Sequence, residues 1–152
     1  MKYIFTCLLF LFALVTTGTA TGFSEGNGNK IQIVSVTPST MVENKAQEVE
    51  MVVDYELVSR EEGIVYIGFN TNEPKRYHLA NNVVVTAGKG RVVLKAVITP
   101  RNWGDIARFA AFANLSPFPH GNRWTPLVMT SAPVQLAGQP NQEPHYDGSA
   151  VR

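Results

Sequence analysis

The sequence predicts an all-β domain: a single antiparallel, seven-stranded Greek-key β-sandwich over residues 31–136. Three observations predict it. Apolar and polar residues alternate with period two over several runs, as they do where successive strand side chains point to opposite faces. Clusters of Gly, Pro, Asn and Ser separate those runs at regular spacing. No segment carries the apolar period of an amphipathic helix.

The chain opens on what reads as a signal peptide, residues 1–20. Lys2 supplies a minimal basic start, residues 3–15 are nearly continuously apolar, and Gly18 and Ala20 occupy the minus-three and minus-one positions of a cleavage site. A run this short falls below the roughly 20 residues that span a bilayer. Cys7 lies near the start of that run, where a lipid-modified cysteine is not expected. Cleavage leaves 132 residues with 12 basic and 12 acidic side chains, and it removes the sole cysteine. The mature chain therefore forms no disulfide, and about a hundred ordered residues must bury enough surface for one domain. A neutral chain also has no electrostatic pull toward nucleic acid or anionic lipid. The expected partners are an extracellular protein or polysaccharide, with no nucleic acid and no membrane insertion after cleavage.

Residues 21–30, TGFSEGNGNK, read as a flexible leader. Residues 31–37 form the first strand and end at Pro38, which cannot donate to a ladder. A connection at 39–44 leads to the segment around which the rest is organised, 49–69. In its first half Val49, Met51, Val53, Tyr55 and Leu57 face inward, and Glu50, Asp54 and Glu56 face outward. Ser59-Arg60-Glu61-Glu62-Gly63 is expected to reverse the chain, so that 64–69 forms the second strand of a hairpin. Residues 70–82 read as a polar link, with 77–79 a short edge strand. A strand at 83–86, a Gly88-Lys89-Gly90 turn and a strand at 91–99 follow.

Residues 100–105 are a turn. The strand 107–115 then sets Phe109, Ala111, Ala113 and Leu115 on one face. A loop at 116–123 precedes the last strand, 124–136, which is broken by Pro126 and Pro133. Residues 137–152 read as a disordered tail without a hydrophobic end.

Taken with Pro38, the 49–57 strand and Phe109-Ala110-Ala111-Phe112-Ala113-Asn114, residues 31–136 resemble an immunoglobulin-like or fibronectin-type-III-like extracellular module. The last run is similar to the penultimate strand of such modules. The chain departs from antibody-type domains in lacking a cysteine pair and a Trp in the third strand. A resemblance of this kind implies a fold and an extracellular setting, and identifies no ligand.

Catalytic patterns are missing: there is no nucleophile elbow, no phosphate-cradling loop and no His-Glu-x-x-His. His78, His120 and His145 lack ligand spacing, so no metal and no cofactor is expected. Glu61-Glu62, the adjacent carboxylates, read as a solvated pair. A sandwich gathers its loops at two ends. One end gathers 59–63, 87–90 and 116–123, with His120, Arg123 and the flanking Trp124. The other gathers 39–44, 70–82 and 100–105, with Tyr77, His78, Arg101, Asn102 and Trp103. Each end thus offers a Trp beside Arg, Asn and His, groups that favour binding, unless the two indoles instead plug the core. Asn114-Leu115-Ser116 is a glycosylation sequon. Pro38, Pro126 and Pro133 blunt the sheet edges, which favours a monomer.

The expected function is that of a secreted or cell-surface, non-enzymatic domain mediating adhesion or ligand binding. Two alternatives stay open: an accessory domain of an exported assembly with no ligand site, and a carbohydrate-binding module that uses the loop tryptophans.

Overall fold

The computed structural model describes residues 21–70, 77–100, 109–119 and 125–137, with 70 and 77–79 described through the backbone only. The signal-peptide segment, the link 71–76, residues 101–108, residues 120–124 and the tail from 138 lie outside the described residues. The described residues form eight strands: β1 (Gly22–Gly26), β2 (Asn29–Thr37), β3 (Thr40–Met41), β4 (Gln47–Asn70), β5 (Tyr77–Ile98), β6 (Ala110–Pro117), β7 (Val128–Pro133) and β8 (Gln135–Leu136). Among the described residues there is no helix. The main sheet is antiparallel, in the order β1-β2-β4-β6-β7, with β5 on the other side of β4.

The central element is a long ribbon of β4 and β5, paired from Gln47↔Ile98 to Asn70↔Tyr77. This corrects the expected hairpin. Residues 49–57 and 64–69 do not pair with each other; they are two halves of one strand, and both pair with β5. Likewise 83–86 and 91–98 are halves of β5, and Gly88-Lys89-Gly90 lies within that strand. The polar cluster at 58–61 marks a bulge instead. Leu57 faces Gly88 and Glu62 faces Thr86, so four residues lie opposite Ala87 alone. Extra residues on one strand bend a ribbon and increase its twist. Gly88 sits opposite this bend at φ 108, a conformation that side chains with a Cβ rarely adopt.

Beyond the bend β4 changes partners. Its first half pairs with β2 (Thr37↔Glu50 to Lys30↔Glu56), and its second half pairs with β6 (Gly63↔Pro117 to Asn70↔Ala110). The sheet therefore curls around one core and approaches a barrel. Its two outer strands meet backbone to backbone. A Cβ on Gly22 would collide with the Ser131 carbonyl, and one on Gly26 would lie 3.2 Å from the Leu127 carbonyl oxygen. Across the other side of the curl, the Asn81 side-chain amide donates to the Lys95 carbonyl at 2.7 Å.

The residues expected as a flexible leader form β1 and the start of β2, which is a second correction. Asn27 and Gly28 have φ 51 and 78, and Gly26 pairs with Asn29. Two positive-φ residues in a two-residue loop match the right-handed twist of the flanking strands, which is why Asn-Gly closes hairpins.

The core follows the alternation. Val49, Met51, Val53 and Leu57 are buried on β4, as are Phe109, Ala111, Ala113 and Leu115 at β6. In β2 a register shift after Ile33 leaves Ser35 on the outer face and returns Val36 to the core beside Ile31 and Ile33. The parallel pair β3–β8 brings buried Met41 and Leu136 to the same core. β6 is buried on its other face too, with Asn114 3% and Ser116 0% exposed. The sequon is thus closed to modification in the folded chain.

Candidate functional site

Of the residues singled out in the sequence, Arg101, Asn102, Trp103, His120, Arg123 and Trp124 lie outside the described residues. Tyr77 and His78 form the first rungs of β5, opposite Asn70 and Phe69, so they stand in a strand rather than a loop. The register does gather one expected set of segments. Ser59–Gly63, Ala87–Gly90 and Pro117 meet at the bend, through Leu57↔Gly88, Glu62↔Thr86 and Gly63↔Pro117.

An open groove of about 390 Å³ lies beside it, over β1, β2, β4 and β5, and Phe23, Asp54, Tyr55, Glu56, Lys89 and Arg91 line it. Antiparallel register explains how residues so distant in sequence converge. Directly opposed residues share a sheet face, and here they form two rows across four strands. One row is Phe23–Gln32–Asp54–Arg91 and the next is Glu25–Lys30–Glu56–Lys89.

The second row alternates in sign, so each charge stands beside an opposite one. Lys30 Nζ lies 3.9 Å from Glu25 and 3.6 Å from Glu56, whose other oxygen lies 3.5 Å from Lys89 Nζ. In the first row Arg91 grips Asp54 with two nitrogens. Its Nη2 donates to Oδ2 at 2.7 Å, and its Nε donates to Oδ1. Such fork-to-fork pairing fixes both planes. Farther along the same face, Lys95 lies 3.4 Å from Glu50 and 3.7 Å from Glu48.

Tyr55 alternates to the opposite side of β4, where it packs on the core and reaches across to Gly90. A Cβ on Gly90 would lie 2.5 Å from the Tyr55 hydroxyl, so the ring occupies the space that a side chain there would take. At the β1 side Phe23 is 60% exposed, a bare aromatic ring beside charged neighbours.

The Arg91 hydrogen bond holds the Asp54 carboxyl below its ordinary pKa, against a smaller upward push from burial. The side chain is thus a fixed acceptor rather than a proton donor. A depressed folded-state pKa contributes stability above the unfolded value, and that contribution is lost as pH falls through the folded one. Asp54→Asn is therefore expected to lower urea stability slightly at neutral pH and to flatten the decline below about pH 4 by the same small amount. Parallel acid declines in the two proteins would show that the pair is not linked to folding.

Among the described residues no group of three His, Cys, Asp or Glu side chains is placed to hold a metal ion. Sequence reading missed Phe23, Gln32 and the Asp54–Arg91 pair as a set, although the outward charges at 50, 54 and 56 were legible. No family model matches the chain, and no curated protein matches it.

Proposed function

We propose that this chain is an exported, non-enzymatic domain, of immunoglobulin-like or fibronectin-type-III-like kind, that binds a ligand at or outside the cell surface. The observation that carries this reading is the cavity over β1, β2, β4 and β5. It is an open groove of about 390 Å³ on the sheet face, and it joins an exposed aromatic to donors and acceptors fixed on adjacent strands. Asp54 is tied to Arg91, and Glu56 lies between Lys30 and Lys89. The apolar run at 3–15 with its small-residue end supports export.

Amide hydrogen exchange, with and without a panel of cell-wall polymers and extracellular proteins, tests the reading. Protection is expected at 22–32, 54–56 and 89–91. Protection confined to the segments around Trp103 and Trp124 would move binding to the loop ends, and protection nowhere would remove the binding reading. The accessory alternative draws support from Val93 and Val97, which are 53% and 72% exposed on β5. Lys95 stands between them on the same face, so apolar and charged side chains alternate there, a mixed surface of the kind protein contacts use.

A further inference from the structure

We infer that the cavity takes a neutral oligosaccharide, with one sugar face laid on Phe23 and hydroxyls shared between Asp54 and Arg91. The inference rests on the reading that this cavity is the binding surface, and it names the ligand's chemistry.

Charge balance comes first. Lys30, Lys89 and Arg91 stand against Asp54, Glu56 and Glu25, each within ion-pair distance of an opposite. Three cations against three carboxylates leave no net charge to capture an ion. A phosphate or an acidic peptide would meet as many carboxylates as cations here, so the surface offers it no net electrostatic attraction.

The pairs nonetheless leave hydrogen-bonding capacity at the surface. The side chains of Arg91 and Lys89 are 59% and 78% exposed, and Asp54 is 36% exposed. A carboxylate has about four acceptor sites and a guanidinium five donors, so a bidentate pair uses only part of each. Acceptor and donor side by side, held in one plane, match a vicinal diol, in which each hydroxyl both donates and accepts. A neutral polyol takes these bonds without displacing either ion.

Phe23 supplies the apolar half. A sugar ring carries C–H groups on one face, and an exposed ring is the partner that buries them at little conformational cost. Phe23 stands in the same row as Asp54 and Arg91, with Gln32 between. At 4.7–4.9 Å per strand the row from β1 to β5 spans roughly 14 Å, which suits a short oligosaccharide better than a single ring.

The test is a titration of the full mature chain by amide NMR, with three probes: cellohexaose with mannohexaose, an oligogalacturonate, and a glutamate oligopeptide. Each is run at low and at high salt. The expected result is that a neutral hexaose shifts the amides of Phe23, Gln32, Asp54, Glu56 and Arg91, with an affinity that salt does not change. Phe23→Ala should weaken it about ten-fold, and Asp54→Asn should weaken it while leaving the rest of the spectrum in place. Phe23 is exposed, so its loss does not threaten folding. If only the uronate or the peptide shifts these amides, and salt abolishes the effect, the neutral-saccharide inference is overturned while the binding surface stands. If no probe moves them, the reading of the cavity as a binding surface falls as well.

Discussion

Phe69→Ala is expected to destabilise the domain by about 3–5 kcal/mol, the usual cost of emptying an aromatic site in a core. Phe69 is 1% exposed and stacks on Phe109, with ring centroids 5.7 Å apart and planes 12° from parallel. Its cross-strand partner on β6 is Ala111, which is itself fully buried and too small to fill the space. The site therefore cannot collapse, and both the transfer term and the cavity term apply. Single domains hold roughly 5–15 kcal/mol in total, so this one change removes a large fraction. Urea unfolding followed by circular dichroism measures it. Phe118→Ala, at a residue 36% exposed, is the control and should move the midpoint little. Equal effects from the two would mean that the second half of β4 does not share the core of the first.

That shared core explains which parts of the fold could be read from sequence. Inner faces were legible, because a period-two pattern is local: Val49, Met51, Val53 and Leu57 follow it, and all are buried. Strand ends were less so. Ser59-Arg60-Glu61-Glu62-Gly63 has the composition of a reversal, yet it forms a bulge within β4. A bend that swaps β2 for β6 and a turn that reverses the chain both need polar, exposed residues. Only long-range pairing separates them. Gly88 fits the bend opposite for the same reason that it suggested a turn. The β1–β2 hairpin is a different case. Asn27-Gly28 is a strong local signal, obscured by Gly and polar neighbours that also suit a flexible leader. The cavity was beyond reach, because its rows join residues 23, 32, 54 and 91 through three successive registers. A slip of one residue in any of them would turn that row's side chain to the opposite face.

Asn29 ties the β1–β2 turn to the bend, and its removal is the second large effect expected. Asn29 is fully buried, and its Oδ1 accepts from the Val58 amide at 3.1 Å, the Ser59 amide at 3.2 Å and the Ser59 hydroxyl at 3.1 Å. Its Nδ2 donates to the Gly26 carbonyl at 3.3 Å, across the Asn-Gly turn. Amides in a bulge have lost their ladder partners, and Asn29 supplies a replacement acceptor. Asn29→Ala leaves two part-buried amides without that acceptor, at an expected cost of about 2–3 kcal/mol. Ser59→Ala removes one part-buried hydroxyl bond and should cost about 0.5–1 kcal/mol. Asn29→Asp keeps the acceptor, loses the bond to Gly26 and places a charge where water does not reach, so it should not rescue stability. Hydrogen exchange gives the decisive readout. In Asn29→Ala, exchange at Val58 and Ser59 should accelerate more than at Met51 or Leu115, because the clamp opens before the core does. Uniform acceleration across the sheet would mean instead that Asn29 serves the whole fold, and that the bend holds its shape through β5 alone.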